Sequence, residues 1–257
     1  MATTTLSPTS HQLLQAWELF RSRWWTAVRV GLIPVIPLIV ALLLLARTTG
    51  ARTGITPTTS AAVIVFTVFY VATIPTRAGL FNLFARREHL GVREAFRLGL
   101  RRFWPFLWTE LLLVFSIVLS LIPLLAFQSW FTAAGRSQVL AASGAMLTNT
   151  VALLGVLLLS VPPVLLAVAL SFAPLAAALE DGRGGIGALR RSFALVRSPS
   201  IFRKVAGRII LWIVLFIVIC TAVEPFPFVQ WIMPFVMALI GAAFLTVLYQ
   251  ELKAHSA

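Results

Sequence analysis

Apolar residues gather into six windows, roughly 27–46, 61–84, 105–127, 147–179, 205–224 and 228–249. A helix rising about 1.5 Å per residue needs about 20 such residues to cross a ~30 Å hydrocarbon layer, and each window meets that length. Between some of these windows the pattern changes to one of helical period with mixed polarity. Ala16–Trp25 reads AWELFRSRWW, Ala95–Trp104 reads AFRLGLRRFW, and Ala188–Arg197 reads ALRRSFALVR. In the first two, Ala16 matches Ala95, Trp17 matches Phe96, Leu19 matches Leu98, Arg23 matches Arg102 and Trp25 matches Trp104.

Each of these segments predicts an amphipathic helix. Leu13, Trp17, Phe20 and Trp24 make one stripe, Val92, Phe96, Gly99 and Phe103 a second, and Ile186, Leu189, Phe193 and Val196 a third. Arginines occupy the other faces, as in a helix lying in a membrane interface. The expected fold is therefore all-α and polytopic, with six transmembrane helices built as three repeats of a basic interfacial helix followed by a transmembrane hairpin. A single membrane domain covers 1–257, with repeat 1 at about 10–84, repeat 2 at about 91–179 and repeat 3 at about 185–250.

Composition removes the soluble alternative, because 60% of residues are hydrophobic and only 11% are charged. The first apolar run is too long for the core of a cleavable signal and reads as a retained anchor. Cys220 is the only cysteine, which leaves no internal disulfide and no paired-cysteine metal or redox site.

Charge then sets the expected topology. Of 21 Lys and Arg residues, only Arg47, Arg52 and Arg136 fall on one side of the spans, and the other 18 fall on the opposite side. By the positive-inside rule both termini are cytoplasmic, and the chain is a multi-pass protein of a bacterial cytoplasmic (inner) membrane. The formal charge of +13 then needs no nucleic acid, since arginines beside spans face anionic headgroups. Arg93, Arg97, Arg101, Arg102, Arg190, Arg191 and Arg197 are the candidate headgroup contacts, and Trp24, Trp25 and Trp104 the interface anchors. Such a collar could simply brace the bundle, gather anionic lipid, or dock a membrane-protein partner.

Inside the windows, Pro34, Pro37, Pro75, Pro123, Pro162, Pro163, Pro174 and Pro234 predict kinks. The small-residue pairs Ala167/Ser171 and Ala238/Ala242 suit close helix contact. Arg77 and Glu110 are ionisable positions within apolar windows, costly there unless paired or hydrated, so an Arg77–Glu110 pair is the candidate polar intramembrane site. Asn82 and His89 read as boundary or loop residues, and Glu224 as a solvated turn residue.

Catalytic chemistry has no support in the pattern. His11, His89 and His255 are scattered, and no zinc-binding helix motif, nucleophile elbow, phosphate loop or dinucleotide fingerprint occurs. Gly182, Gly184 and Gly185 read as a flexible connector. No catalytic residue, metal or cofactor is expected.

The run FAPLAAALEDGRGGIGALRRSFALVR, followed by a basic segment, an apolar hairpin and a terminal LYQELK, resembles a family. It is that of bacterial six-helix proteins related to the membrane domain of glycerophosphoryl diester phosphodiesterases, including YciC-like inner-membrane proteins. The likeness spans nearly the whole chain and is most specific over Pro174–Arg197, around ALRRSF at Ala188–Phe193. In the enzymes of that family a separate soluble domain carries catalysis, and no such domain is expected within these residues. The resemblance thus implies a membrane-embedded module without phosphodiesterase activity.

The expected function is a non-enzymatic module that binds lipid or another amphiphile at the inner leaflet, its partners being membrane lipids and a membrane protein. The alternative is a small transporter or permease component.

Overall fold

A computed structural model describes residues 8–50, 59–86, 90–132, 136–182 and 184–256. Among them the chain is all-helical: α1 (Thr9–Leu32), α2 (Val35–Gly50), α3 (Thr59–Ala85), α4 (Val92–Arg101), α5 (Phe103–Trp130), α6 (Arg136–Leu170), α7 (Ala173–Leu179), α8 (Ile186–Leu195), α9 (Pro199–Ala222) and α10 (Pro227–Ser256). Six stretches are long and apolar enough to cross a membrane: Thr9–Leu43, Thr67–Ala85, Phe103–Trp130, Asn149–Leu179, Pro199–Ala222 and Ile232–His255.

Helix α3 and α10 form the centre of the bundle. From Ile74 to Phe84 every residue of α3 except Arg77 is buried, and α7 is buried from Ala173 to Ala178. The Asn82 amide joins these two helices, donating to the Ala178 carbonyl at 3.2 Å as well as to Ala78 within its own helix. Asn82 is therefore a core residue and not a boundary residue. The ends of the chain meet through the Gln12 amide, which donates to the Glu251 carboxylate.

Packing is dense at this basic end and sparse beyond it. Leu119, Ile122 and Leu125 of α5, Leu157 and Leu158 of α6, and Ile217 and Val218 of α9 are all exposed. Exposed apolar side chains on every outer helix are what a lipid solvent permits.

Two of the spans are broken. The first bends at Ile33–Pro34, where proline has no N–H to continue the ladder, and the fourth breaks at Ser171–Phe172 ahead of Pro174. At the second break the Phe172 N–H donates to Ser192 Oγ of α8, which itself donates to the Ala169 carbonyl. The polar groups freed by the break are thereby satisfied inside the protein, as hydrocarbon surroundings demand.

Several expectations need correction. The first amphipathic segment is not a separate interfacial helix, because α1 runs unbroken from Thr9 to Leu32. Its inward face is Gln12, Ala16, Phe20, Arg23, Ala27 and Val30, while Trp17 and Trp24 point outward. In α4 the buried residues are Ala95 and Gly99, and Phe103 already belongs to α5. In α8 they are Ala188, Ser192 and Leu195, with Ile186 and Phe193 exposed. On the inward face of α4 only small side chains occur, because close backbone approach decides that face. Gly99 is the clearest case, since a Cβ there would stand 1.9 Å from the Pro75 carbonyl oxygen. Of the two small-residue pairs, Ala167 and Ala238 are exposed, while Ala242 packs against the core. His89, Arg52, Arg87 and Arg183 lie outside the described residues, as do the side chains of Arg47 and Arg136.

Candidate functional site

Tyr70, Thr73 and Arg77 share one face of α3, at spacings of three and four residues, and Phe106 and Glu110 share the facing side of α5. Arg77 Nη1 donates to Glu110 Oε2 at 3.0 Å, and the Tyr70 hydroxyl donates to the same oxygen at 3.1 Å. The Arg77 guanidinium also lies over the Phe106 ring, 5.8 Å from its centroid. The structure thus brings together the two ionisable residues singled out in the spans.

The two ends of this pair differ in surroundings. Glu110 is only 5% exposed, and its Oε1 is buried with no hydrogen-bond partner among the described residues. Arg77 keeps 42% of its side chain exposed and lines a cavity of about 680 Å³ between α1, α3, α9 and α10. The other walls are apolar and aromatic, among them Phe69, Phe81, Trp212, Phe216 and Phe235. Pro34, at the break in the first span, closes one side. Gly241 lets the Trp212 ring lie against α10, because a Cβ at that position would meet Trp212 Nε1 at 3.0 Å.

The depth of the polar wall follows from α4. Gly99 of α4 sits against Pro75 and Gly79 of α3, so Arg77 lies level with this basic helix rather than at mid-span. It stands eight residues, about 12 Å of helix, before the end of α3.

A second polar centre surrounds Glu180, just past α7, which is 9% exposed. Its Oε1 accepts from the Tyr249 hydroxyl at 2.7 Å and lies 3.3 Å from Lys253 Nζ and 3.5 Å from Arg191 Nε. Arg102 donates to the Glu180 carbonyl at 3.4 Å and pairs with Asp181. Arg102 and Arg191, expected at the headgroups, are thus engaged within the protein.

Arg93, Arg97, Arg101, Arg190 and Arg197 are exposed. Trp24, Trp25 and Trp104 are also exposed, with the Arg29 guanidinium 4.6 Å over the Trp25 ring. Arg23, by contrast, is buried and donates to the Leu83 carbonyl. Among the described residues no three His, Cys, Asp or Glu side chains gather as metal ligands would.

Sequence reasoning missed Tyr70, Trp212 and the Glu180 cluster. An aromatic residue in an apolar window carries no mark of its hydrogen bond, and Glu180 sits at a window's end, where a charge looks solvated. Comparison with known proteins gives no matching family model, no matching curated protein and no matching solved structure.

Proposed function

We propose that the chain is a non-enzymatic module of a bacterial inner membrane that binds a lipid or another amphiphile. The amphiphile's chain lies in the cavity between α3 and α10, and its polar head rests at Arg77. The observation that carries this reading is the form of the cavity. About 680 Å³ is lined almost wholly by apolar side chains, and one partly exposed guanidinium is held at its wall by a buried carboxylate. Ligand sites typically measure about 300–1,000 Å³, with apolar walls and a few placed polar groups. Arg77 stands at the depth of the basic α4, where a headgroup would be.

The basic collar supports the same assignment. Its exposed arginines on α4 and around α8 face the anionic headgroups of the cytoplasmic leaflet, at about 1 kcal/mol each near the surface. Both termini lie on that side, and the collar is also where a membrane-protein partner would dock. The likeness of Pro174–Arg197 to YciC-like proteins points to a membrane module as well.

A three-repeat architecture fits the buried positions. Ala16, Ala95 and Ala188, equivalent by sequence, are all buried, and so are Phe20, Gly99 and Ser192 four residues on. Arg23 and Arg102, the next equivalents, each donate to a main-chain carbonyl at the end of a hairpin, Leu83 and Glu180.

Mass spectrometry of the protein released from its native membrane in mild detergent tests the function. One retained amphiphile per chain is expected, and Ala238→Trp, which fills the cavity from an exposed position, should lose it. Equal retention by the two proteins would refute the cavity as the site.

Transport is the second reading, favoured by the break at Pro34 against the cavity, since interrupted spans line substrate paths in many carriers. A carrier driven through Glu110 loses uptake in reconstituted vesicles on Glu110→Gln, whereas a binding module keeps its ligand.

A further inference from the structure

The pairing of Arg77 with Glu110 has a consequence for which heads the cavity accepts. We infer that it selects amphiphiles whose head carries no net charge and offers hydrogen-bond acceptors, and that Glu110 imposes this choice. The inference rests on the cavity being an amphiphile site.

Arg77 is the one charged side chain among the described residues that line the cavity. Glu110 neutralises it from behind, so the wall has a hydrogen-bonding face and no net charge. The hydroxyls there are already committed: that of Tyr70 to Glu110, that of Thr73 to the Tyr70 carbonyl at 2.6 Å, and that of Thr76 to Ala72. What a head can use is the rest of the guanidinium, with the Trp212 indole N–H as a second, uncharged donor in the lining. Arginine carries five N–H donors, enough to hold Glu110 and an acceptor oxygen together.

An anionic head meets two obstacles. Repulsion by Glu110, roughly 6 Å away, offsets about two-thirds of the head's attraction to Arg77 at contact, and the head must shed its hydration against aromatic walls. It cannot take Glu110's place either. Glu110 Oε1 is buried without a partner, and Arg77 and Tyr70 supply its only hydrogen bonds among the described residues, so displacing it would leave a carboxylate uncompensated in the bundle. A head without net charge escapes the net repulsion, and an uncharged head also sheds less hydration.

Native mass spectrometry with defined single-chain probes of one chain length tests this: monoacylglycerol (neutral), lysophosphatidylcholine (zwitterionic) and lysophosphatidylglycerol (anionic). Binding is measured as the excess over Ala238→Trp, which subtracts anionic lipid held by the collar. The wild type should hold a net-neutral probe at least about tenfold better than the anionic one, and the ratio of the two net-neutral probes tells a neutral from a zwitterionic head. Glu110→Gln, nearly isosteric, should raise affinity for the anionic probe by about tenfold to a hundredfold, the repulsion of a carboxylate some 6 Å away at an effective dielectric of about 20. The net-neutral probes should change little. The double variant Arg77→Gln/Glu110→Gln, neutral again, should lose the gain. Equal wild-type binding of the anionic and net-neutral probes overturns the inference, as does a Glu110→Gln protein with unchanged head preference. No retention of any probe above Ala238→Trp instead refutes the amphiphile site itself.

Discussion

The guanidinium of Arg23 donates to the main-chain carbonyl of Leu83, tying the middle of α1 to the last turn of α3. The last four carbonyls of a helix have no partner within it; in α3 one takes the next N–H along the chain and two are satisfied by distant side chains. Arg86 N–H reaches Asn82, Arg23 reaches Leu83, and the Gln250 amide of α10 reaches Ala85 at 2.7 Å. Arg23→Ala should therefore cost about 1.5–3 kcal/mol, the range for a hydrogen bond to a charged donor. Arg21→Ala, exposed two residues away, should cost almost nothing. Thermal unfolding of the two variants in one detergent measures the difference.

Gly99 tests how α4 is held. A Cβ there meets the Pro75 oxygen at 1.9 Å and Gly79 N at 2.9 Å, both backbone atoms that cannot swing aside. Gly99→Ala must push α4 off α3, and overpacking of this kind costs about 1–3 kcal/mol. Limited trypsin digestion should then cut among Arg93, Arg97 and Arg101 faster than in the wild type. Gly187→Ala is the control, because nothing lies within 4 Å of its added methyl.

The spans were legible in the sequence because a bilayer requires about 20 apolar residues in a row, and few other structures do. The Arg77–Glu110 pair was legible for a related reason: a charge inside such a window is rare enough to demand a partner. The helix faces were not. In water the stripe Ile186, Leu189, Phe193 and Val196 would turn inward, yet of these only Val196 is buried here, beside Ala188, Ser192 and Leu195. Lipid is as apolar as the interior, so polarity stops distinguishing the two sides and residue size takes over. Arg23 misled for the opposite reason, as an arginine beside a span looks like a topological charge until its carbonyl partner on a distant helix is seen.

Ser192 carries the break in the fourth span. Its hydroxyl accepts from Phe172 N–H at 3.2 Å and donates to the Ala169 carbonyl at 2.6 Å, all of it buried. Ser192→Ala orphans both groups and should lower stability by about 1–3 kcal/mol. Because α7 begins at that break, hydrogen exchange should accelerate over Ala173–Leu179 before it does in α5.

Cys220 reports the orientation. It lies near the end of α9 remote from the basic residues, within three residues of the helix terminus. A membrane-impermeant maleimide added outside intact cells should label it or leave it unlabelled. A cysteine placed at exposed Arg97 should react only after the membrane is opened. Labelling of Cys220 from the cytoplasmic side alone would reverse the assignment of both termini.

Glu180 is the sharpest test of what holds the basic end together. One carboxylate oxygen gathers Tyr249 and Lys253 of α10 and Arg191 of α8, and the Glu180 main chain receives Arg102. Glu180→Ala removes a carboxylate that pairs with Arg191 and Lys253, and it leaves a tyrosine hydroxyl in the core without its acceptor. Loss of one partner from a buried ion pair costs about 3–5 kcal/mol, and the half-exposed Lys253 adds little to that because solvent screens it. Tyr249→Phe should cost only about 1–2 kcal/mol, since it deletes one bond while the ion pairs stay. If the centre acts as a unit, the double variant will be less destabilised than the sum of the two, because neighbours in one network are not additive. Thermal unfolding of the wild type, both single variants and the double variant supplies the cycle, and strict additivity would show that Tyr249 and Glu180 act independently.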